Sequence, residues 1–130
     1  MTFFQCKSAG YKGWITQPLP SLECRENLVA GSLERISLPM NIDIWMNEKY
    51  LIRPSKEQIN IVVRDGDMVK LACGNVFLAT TDSKGHVVPI SQEQLRWFGA
   101  HQKVLCDTDG TFLFVIDVQN ENKPVMEGAL

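Results

Sequence analysis

The chain has 130 residues, of which 45% are hydrophobic and 22% charged, with a formal net charge of −2. That length predicts one domain, and that apolar content lets a chain of this size bury a core without covalent staples. Its 13 basic residues are scattered with no two adjacent, which sets it apart from nucleic-acid binders, whose affinity comes from neutralising phosphates.

No apolar run approaches the ~18–20 residues that a membrane span needs. The segment MTFFQCKSAGYKGW lacks a basic stretch followed by a long apolar one, so it does not read as a secretory signal. A cytoplasmic setting with no membrane partner is the expectation. Cys6, Cys24, Cys73 and Cys106 stand far apart, as do His86 and His101. Zinc sites usually show a close ligand pair, so no metal and no cofactor is expected, and buried free thiols are the plainer reading.

Phe3-Phe4 and Trp14-Ile15 suggest two short strands, ended by Pro18 and Pro20, which lack an amide donor. Ser21 predicts the N-cap of a helix through Ala30, with Gly31 as the left-handed residue after it. Leu22 and Val29 fall on one face of that helix, with Leu28 beside them. Residues 33–38 and 42–46 read as strands joined by Pro39-Met40-Asn41. In the second, Ile42, Ile44 and Met46 share one face, and Asp43 and Trp45 the other. Asn47-Glu48-Lys49 reads as a polar turn into Tyr50-Leu51-Ile52.

Ser55 and Gln58 match a capping box after Pro54, but the β-branched alternation of Ile59, Ile61 and Val63 limits any helix there to one turn. Asp65-Gly66 predicts a hairpin into 68–73. Gly74-Asn75 suits a turn better than a bulge. Residues 76–80 and 87–90 are expected to pair around Asp82–Gly85, with Pro89 ending the second. Ser91 and Gln94 form a capping box, and Ile90 and Leu95 stand where a hydrophobic staple would. That helix is expected over 91–98, with Gly99 as its C-terminal glycine. Residues 104–106 and 111–118 flank Asp107-Thr108-Asp109-Gly110, a hairpin turn. It is not a calcium loop, because position twelve is Val118 and not glutamate. Apolar residues on both faces of 111–118 place that strand centrally. The tail 119–130 is polar, contains Pro124 and is expected to fray.

These elements predict the α+β class: a single domain over 1–130 with a mostly antiparallel, strongly bent sheet of seven to nine short strands and two short helices. Chemistry is harder to read. No phosphate loop and no nucleophile elbow occurs, and no carboxylate pair is singled out. The best binding candidate joins Trp45, Asn47, Glu48, Tyr50 and Arg53, because aromatic and arginine side chains together suit stacking or an interface. Trp45 could equally be core if its face is covered. Trp97 raises the same question.

From Arg25 to Ile52 the order Leu28-Val29-Ala30-Gly31, Leu33-Glu34-Arg35-Ile36, Leu38-Pro39 and Asn47-Glu48 resembles a domain of unknown function found in small phage- and plasmid-encoded proteins. Gly74–Leu78, Asp82, Gly85 and Ser91–Leu95 resemble that family's closing segment. The chain departs from it at Ala30, where the family favours glycine, and at Lys49-Tyr50, where it favours Glu-Gly. The family brings no active site with it. The resemblance implies a mobile-element accessory protein of a bacterial cytoplasm. Together with the small acidic chain and its lack of a catalytic signature, it leads to the expectation of a protein that binds a host protein or small molecule, for instance to counter host defence. An enzyme whose site assembles only in three dimensions and a homo-oligomeric structural component are the alternatives.

Overall fold

The computed structural model describes residues 2–11, 13–106, 108, 110 and 112–119. The expected fraying of the tail lies outside these residues beyond Gln119, as do Asp107 and Asp109 of the expected hairpin turn.

Two sheets and three helices make up the described chain. The first sheet runs in the order β2 (Ile15–Gln17), β1 (Phe4–Lys7), β7 (Val76–Thr81), β4 (Ile42–Asn47), β3 (Leu33–Leu38), with β8 (Val87–Val88) paired to β7. The second runs β6 (Met68–Cys73), β5 (Ile59–Asp65), β10 (Phe112–Asp117), β9 (Gln102–Cys106). The strand count is therefore just above the expected range. All pairings are antiparallel except β5 with β10, which run parallel from Ile61↔Phe114 to Arg64↔Asp117. β10 is central, as its two apolar faces require.

Alternation sorts the side chains between two apolar clusters. Ile36, Leu38, Ile42, Ile44, Met46, Val76 and Leu78 of the first sheet meet Ile61, Val63, Ala72, Phe114 and Ile116 of the second. Phe98 enters the same core from α3 (Gln92–His101) and meets Trp14 edge-on at 5.5 Å. On the other face of the first sheet, Phe4, Cys6, Phe77 and Ala79 pack with Leu19 and with Val29 of α1 (Leu22–Val29). A buried polar bridge also joins the sheets. Lys7 Nζ donates to Asn60 Oδ1 at 2.6 Å and lies 4.1 Å from the centre of the Phe114 ring. Asn60 Nδ2 donates to the carbonyls of Lys7 and Gly74 at 2.9 and 2.8 Å.

The local signals at helix ends hold with shifts. Ser21 Oγ accepts from the Cys24 amide at 3.2 Å. The left-handed residue is Ala30 (φ 62), one position before the expected Gly31. The Gly31 amide donates to Glu26 O at 3.0 Å and the Ala30 amide to Asn27 O at 3.2 Å, the two bonds of a Schellman closure. Of the two residues read on one face of α1, Val29 is buried and Leu22, its first residue, is 59% exposed. The Ser91–Gln94 capping box forms in full, but α3 passes through Gly99 to His101. The helix continues because Phe98 and His101 are buried one turn apart.

A third helix, the single turn α2 (Lys49–Ile52), follows β4 directly. At Ser55 the turn is a 3-10 turn, Lys56–Gln58, and no capping box closes; Ser55 Oγ instead lies 3.2 Å from Glu57 Oε2. Gly74-Asn75 is neither hairpin nor bulge: β6 and β7 belong to different sheets, and this bend carries the chain between them. Gly74 takes φ +74 there, open to glycine at little cost.

Candidate functional site

β3 and β6 are the end strands of their sheets, and each has one strand neighbour among the described residues. Between them lies a cleft of about 360 Å³, lined by Ile36, Met46, Tyr50, Leu51, Pro54 and Leu71, with Arg35, Val69 and Lys70 at its margin. A separate, smaller depression of about 80 Å³, lined by Ser37, Pro39, Val63, Asp65, Met68 and Val118, shares Lys70 with it. The larger of the two falls in the size range of small-ligand sites.

The walls follow from strand alternation. Ile36 and Met46 belong to the core between the sheets, and the cleft is where that core opens past the last strands. α2 supplies the rest of the wall. Tyr50, half-buried, packs against the same core. A Cβ added to Gly74 would come within 2.9 Å of Tyr50 Cε2, so the bend between the sheets also makes room for this ring. Lys49 Nζ lies 5.0 Å from the ring centre. Leu51 (60%) and Val69 (57%) are exposed on the cleft, and Met68 (62%) on the smaller depression. Apolar groups gathered on one surface mark a binding site more often than singly scattered ones do.

The five residues singled out from sequence fall in separate places. Trp45 faces the second cluster, stacked on Phe77 at 6.3 Å with Arg35 Cζ 5.6 Å from its ring. Arg35 also reaches Asp43 Oδ2 at 3.4 Å. Trp45 Nε1 is buried without a hydrogen-bond partner among the described residues. Asn47 is buried. Its Nδ2 donates to the carbonyls of Val29 and Ala30 at 3.2 and 2.9 Å, and its Oδ1 accepts from the Lys49 amide at 2.9 Å. It thereby ties the end of α1 to the start of α2. A Cβ on Gly31 would stand 2.5 Å from Asn47 Nδ2, so close approach is what requires glycine at that position. Glu48 is exposed, and its amide donates to Ser32 O at 2.8 Å. Arg53 is exposed at the end of α2, its amide donating to Lys49 O at 3.1 Å. Of the five, Tyr50 lines the cleft, Arg53 adjoins it through Pro54, and Trp45 lies across the sheet.

Sequence reasoning missed the β6 side of the cleft, Val69, Lys70 and Leu71. The one available signal was apolar Met68-Val69 just after a hairpin turn, on a strand with apolar residues of both parities. The histidines are placed apart from the cleft. His101 is buried, its Nδ1 2.7 Å from Trp97 O and its ring stacked on Trp97 at 4.0 Å. His86 lies in the exposed turn whose Asp82 carboxylate accepts amide hydrogens from Lys84 and His86. Those bonds, the His86 one foremost, hold the Asp82 carboxyl below its ordinary value. Among the described residues no three His, Cys, Asp or Glu side chains converge as metal ligands, and no helix is long and apolar enough to cross a membrane.

An α+β domain with an apolar cleft between the open ends of two sheets is what the fold defines. The chain belongs to the family described as Domain of unknown function (DUF3846), which matches residues 9–103. No curated protein and no solved structure matches it.

Proposed function

We propose that this is a binding protein, an accessory protein of a phage or other mobile element that captures a host protein or small molecule in the bacterial cytoplasm, with countering a host defence as one use of that capture. The observation that carries the reading is the cleft between β3 and β6. Its walls are largely apolar, it is formed by packed strands and α2, and Arg35 and Lys70 stand at its margin. Such a surface gains affinity by burying area and gains orientation from a few polar groups. The cleft replaces the Trp45-centred surface as the place where Tyr50 and Arg53 act.

Native mass spectrometry of the protein purified from a bacterial cytoplasm tests this, with the wild type beside Leu51→Asp. Leu51 is exposed, so the variant should melt within a few degrees of the wild type while placing a charge in the cleft. A retained ligand or partner is expected on the wild type and its loss on the variant. An adduct that survives Leu51→Asp, or a protein that stays empty against every cytoplasmic extract tried, overturns the reading. The same spectrum reports subunit number, which separates this reading from a homo-oligomeric structural component.

A further inference from the structure

We propose that the Lys7–Asn60 bridge regulates the cleft: the charge on Lys7 is coupled, through Asn60 and Gly74, to the position of Tyr50 and so to ligand binding. The inference rests on the binding reading above and adds a control to that site.

The bridge and the cleft wall form one chain of contacts. Lys7 on β1 and Asn60 on β5 are each 2% exposed. The register of β5 against β6 shifts between Ile59, opposite Cys73, and Ile61, opposite Ala72. Asn60 is the extra residue at that shift, and a bulge of this kind re-aims the side chain it carries. Here the carboxamide oxygen accepts from Lys7 Nζ, and its nitrogen donates to the carbonyls of Lys7 and Gly74. The Gly74 amide donates to Gln58 O at 2.7 Å, so the start of β5 grips the bend by both its carbonyl and its amide. The open side of Gly74 faces Tyr50, since a Cβ there would meet Cε2 of that ring, and Tyr50 lines the cleft. A shift of the bend therefore moves a wall of the cleft.

Lys7 supplies the two states. Burial brings its ammonium down to about 8. Its partners, the Asn60 carboxamide and the Phe114 ring, are uncharged, and no ion pair reaches it among the described residues. Cys6, next to it on β1, packs in the other apolar cluster. An ammonium makes the stronger hydrogen bond, by roughly twofold, and is drawn to the ring face. The neutral amine loses both gains, so Asn60 is held less firmly and the bend loosens with Tyr50. The charged form keeps the cleft in shape. Binding should then weaken as Lys7 loses its proton. A bound ligand should in turn raise the pH at which Lys7 loses it, because coupling between two sites is reciprocal.

The test uses the full chain, with anilinonaphthalene sulfonate as the probe because its sulfonate keeps its charge throughout. NMR follows the Lys7 Cε and Tyr50 ring signals from about pH 6.5 to 9.5. In the free protein the Tyr50 ring should titrate with the Lys7 midpoint. The dye should bind about fivefold more weakly at the upper end, and saturating dye should move the Lys7 midpoint upwards. Lys7→Met should abolish both pH effects. Lys49 is the other amine near the ring and is exposed, and Lys49→Met should leave both in place. The wild-type midpoints decide the matter should Lys7→Met fail to fold. A Tyr50 ring indifferent to the Lys7 titration, a Lys7 midpoint unmoved by dye bound at Tyr50 and Met46, or a pH response that Lys49→Met removes would each overturn the proposal. Failure of the binding reading looks different. If the dye leaves Tyr50 and Met46 unperturbed at every pH while the ring still follows Lys7, the cleft falls as a binding site and the link from Lys7 to Tyr50 stands. If the dye binds there equally well at both ends of the range, the coupling falls and the cleft stands.

Discussion

Ala30 holds a backbone conformation that suits glycine. Its φ of 62 closes α1, and a left-handed residue with a Cβ costs roughly 1–2 kcal/mol. It is exposed, so replacing it loses little contact. Glycine brings extra freedom to the unfolded chain, about 0.4–1 kcal/mol, which offsets part of the relief. Ala30→Gly should therefore stabilise the protein by roughly 0.5–1 kcal/mol, read as a raised denaturant midpoint at unchanged slope. A lowered midpoint would show that the methyl group makes a contact of value. The neighbouring Gly31 is constrained for a different reason. It is the absence of a side chain beside Asn47, and not backbone freedom, that the position requires.

The helix at Ser91 shows what an element can announce locally. Ser91 Oγ accepts from the Gln94 amide at 3.1 Å, and Gln94 Oε1 accepts from the Ser91 amide at 2.8 Å. Both residues lie within four positions, so the sequence alone predicted the start correctly. The far side of the same glutamine was not legible. Gln94 Nε2 donates to Met40 O at 2.8 Å and to Thr80 Oγ1 at 3.1 Å, pinning to α3 the turn between β3 and β4, in which Met40 (φ 66) and Asn41 (φ 58) are left-handed. Ser91→Ala should cost about 1 kcal/mol, the usual loss of a cap. Gln94→Ala should cost more, about 1.5–2 kcal/mol, because the turn loses its donor as well. The double variant should fall short of the sum, measured by chemical unfolding. Equal losses for the two single variants would mean that the tertiary bonds contribute nothing. Strands and hairpins with short connections were similarly readable, whereas the single turn α2 was not. Four residues carry too little periodicity, and α2 is held from outside by Asn47 and by the packing of Tyr50. Tyr50 and Trp45, close in sequence, accordingly end on opposite faces of the first sheet.

At the scale of the whole molecule, the Lys7–Asn60 bridge sets a pH response. Burial brings the Lys7 ammonium down to about 8 from 10.5, so the fold favours its neutral form. The unfolded chain then holds more protons between those two values, and Lys7 makes stability rise with pH from about 8 to 10.5. Burial raises the Cys6 thiol to about 11 from 9.0. The unfolded chain loses that proton first, so Cys6 makes stability fall between about 9 and 11. The Lys7 window opens first and closes first, so stability rises from about pH 8, levels off between about 9 and 10.5 where the two slopes oppose each other, and falls above that. Lys7→Met should abolish the rise, on the order of 1–2 kcal/mol, and Cys6→Ala the fall, both read from urea midpoints across pH. A flat profile in the wild type would contradict this. Neither the bridge nor the cleft was legible in sequence, because each depends on how the two sheets meet. Lys7 and Asn60 stand 53 positions apart, and nothing near either one points to the other. The family match, residues 9–103, likewise stops short of β1 and β10 at its two ends, although β1 lies inside the first sheet and β10 inside the second.

The parallel pairing of β5 with β10 has a consequence during synthesis. β5 and β6 can close as a hairpin as soon as they leave the ribosome, since their connection is short. The strand that covers the other side of β5 is the last of those described. Until Phe114 and Ile116 arrive, β5 has one open edge, and Ile61 and Val63 face a half-built interior. The first sheet needs only residues up to Val88 and can assemble ahead of it. The nascent chain thus carries a finished layer and an unfinished one together, and in that interval an exposed strand edge makes it most prone to aggregate or to need a chaperone.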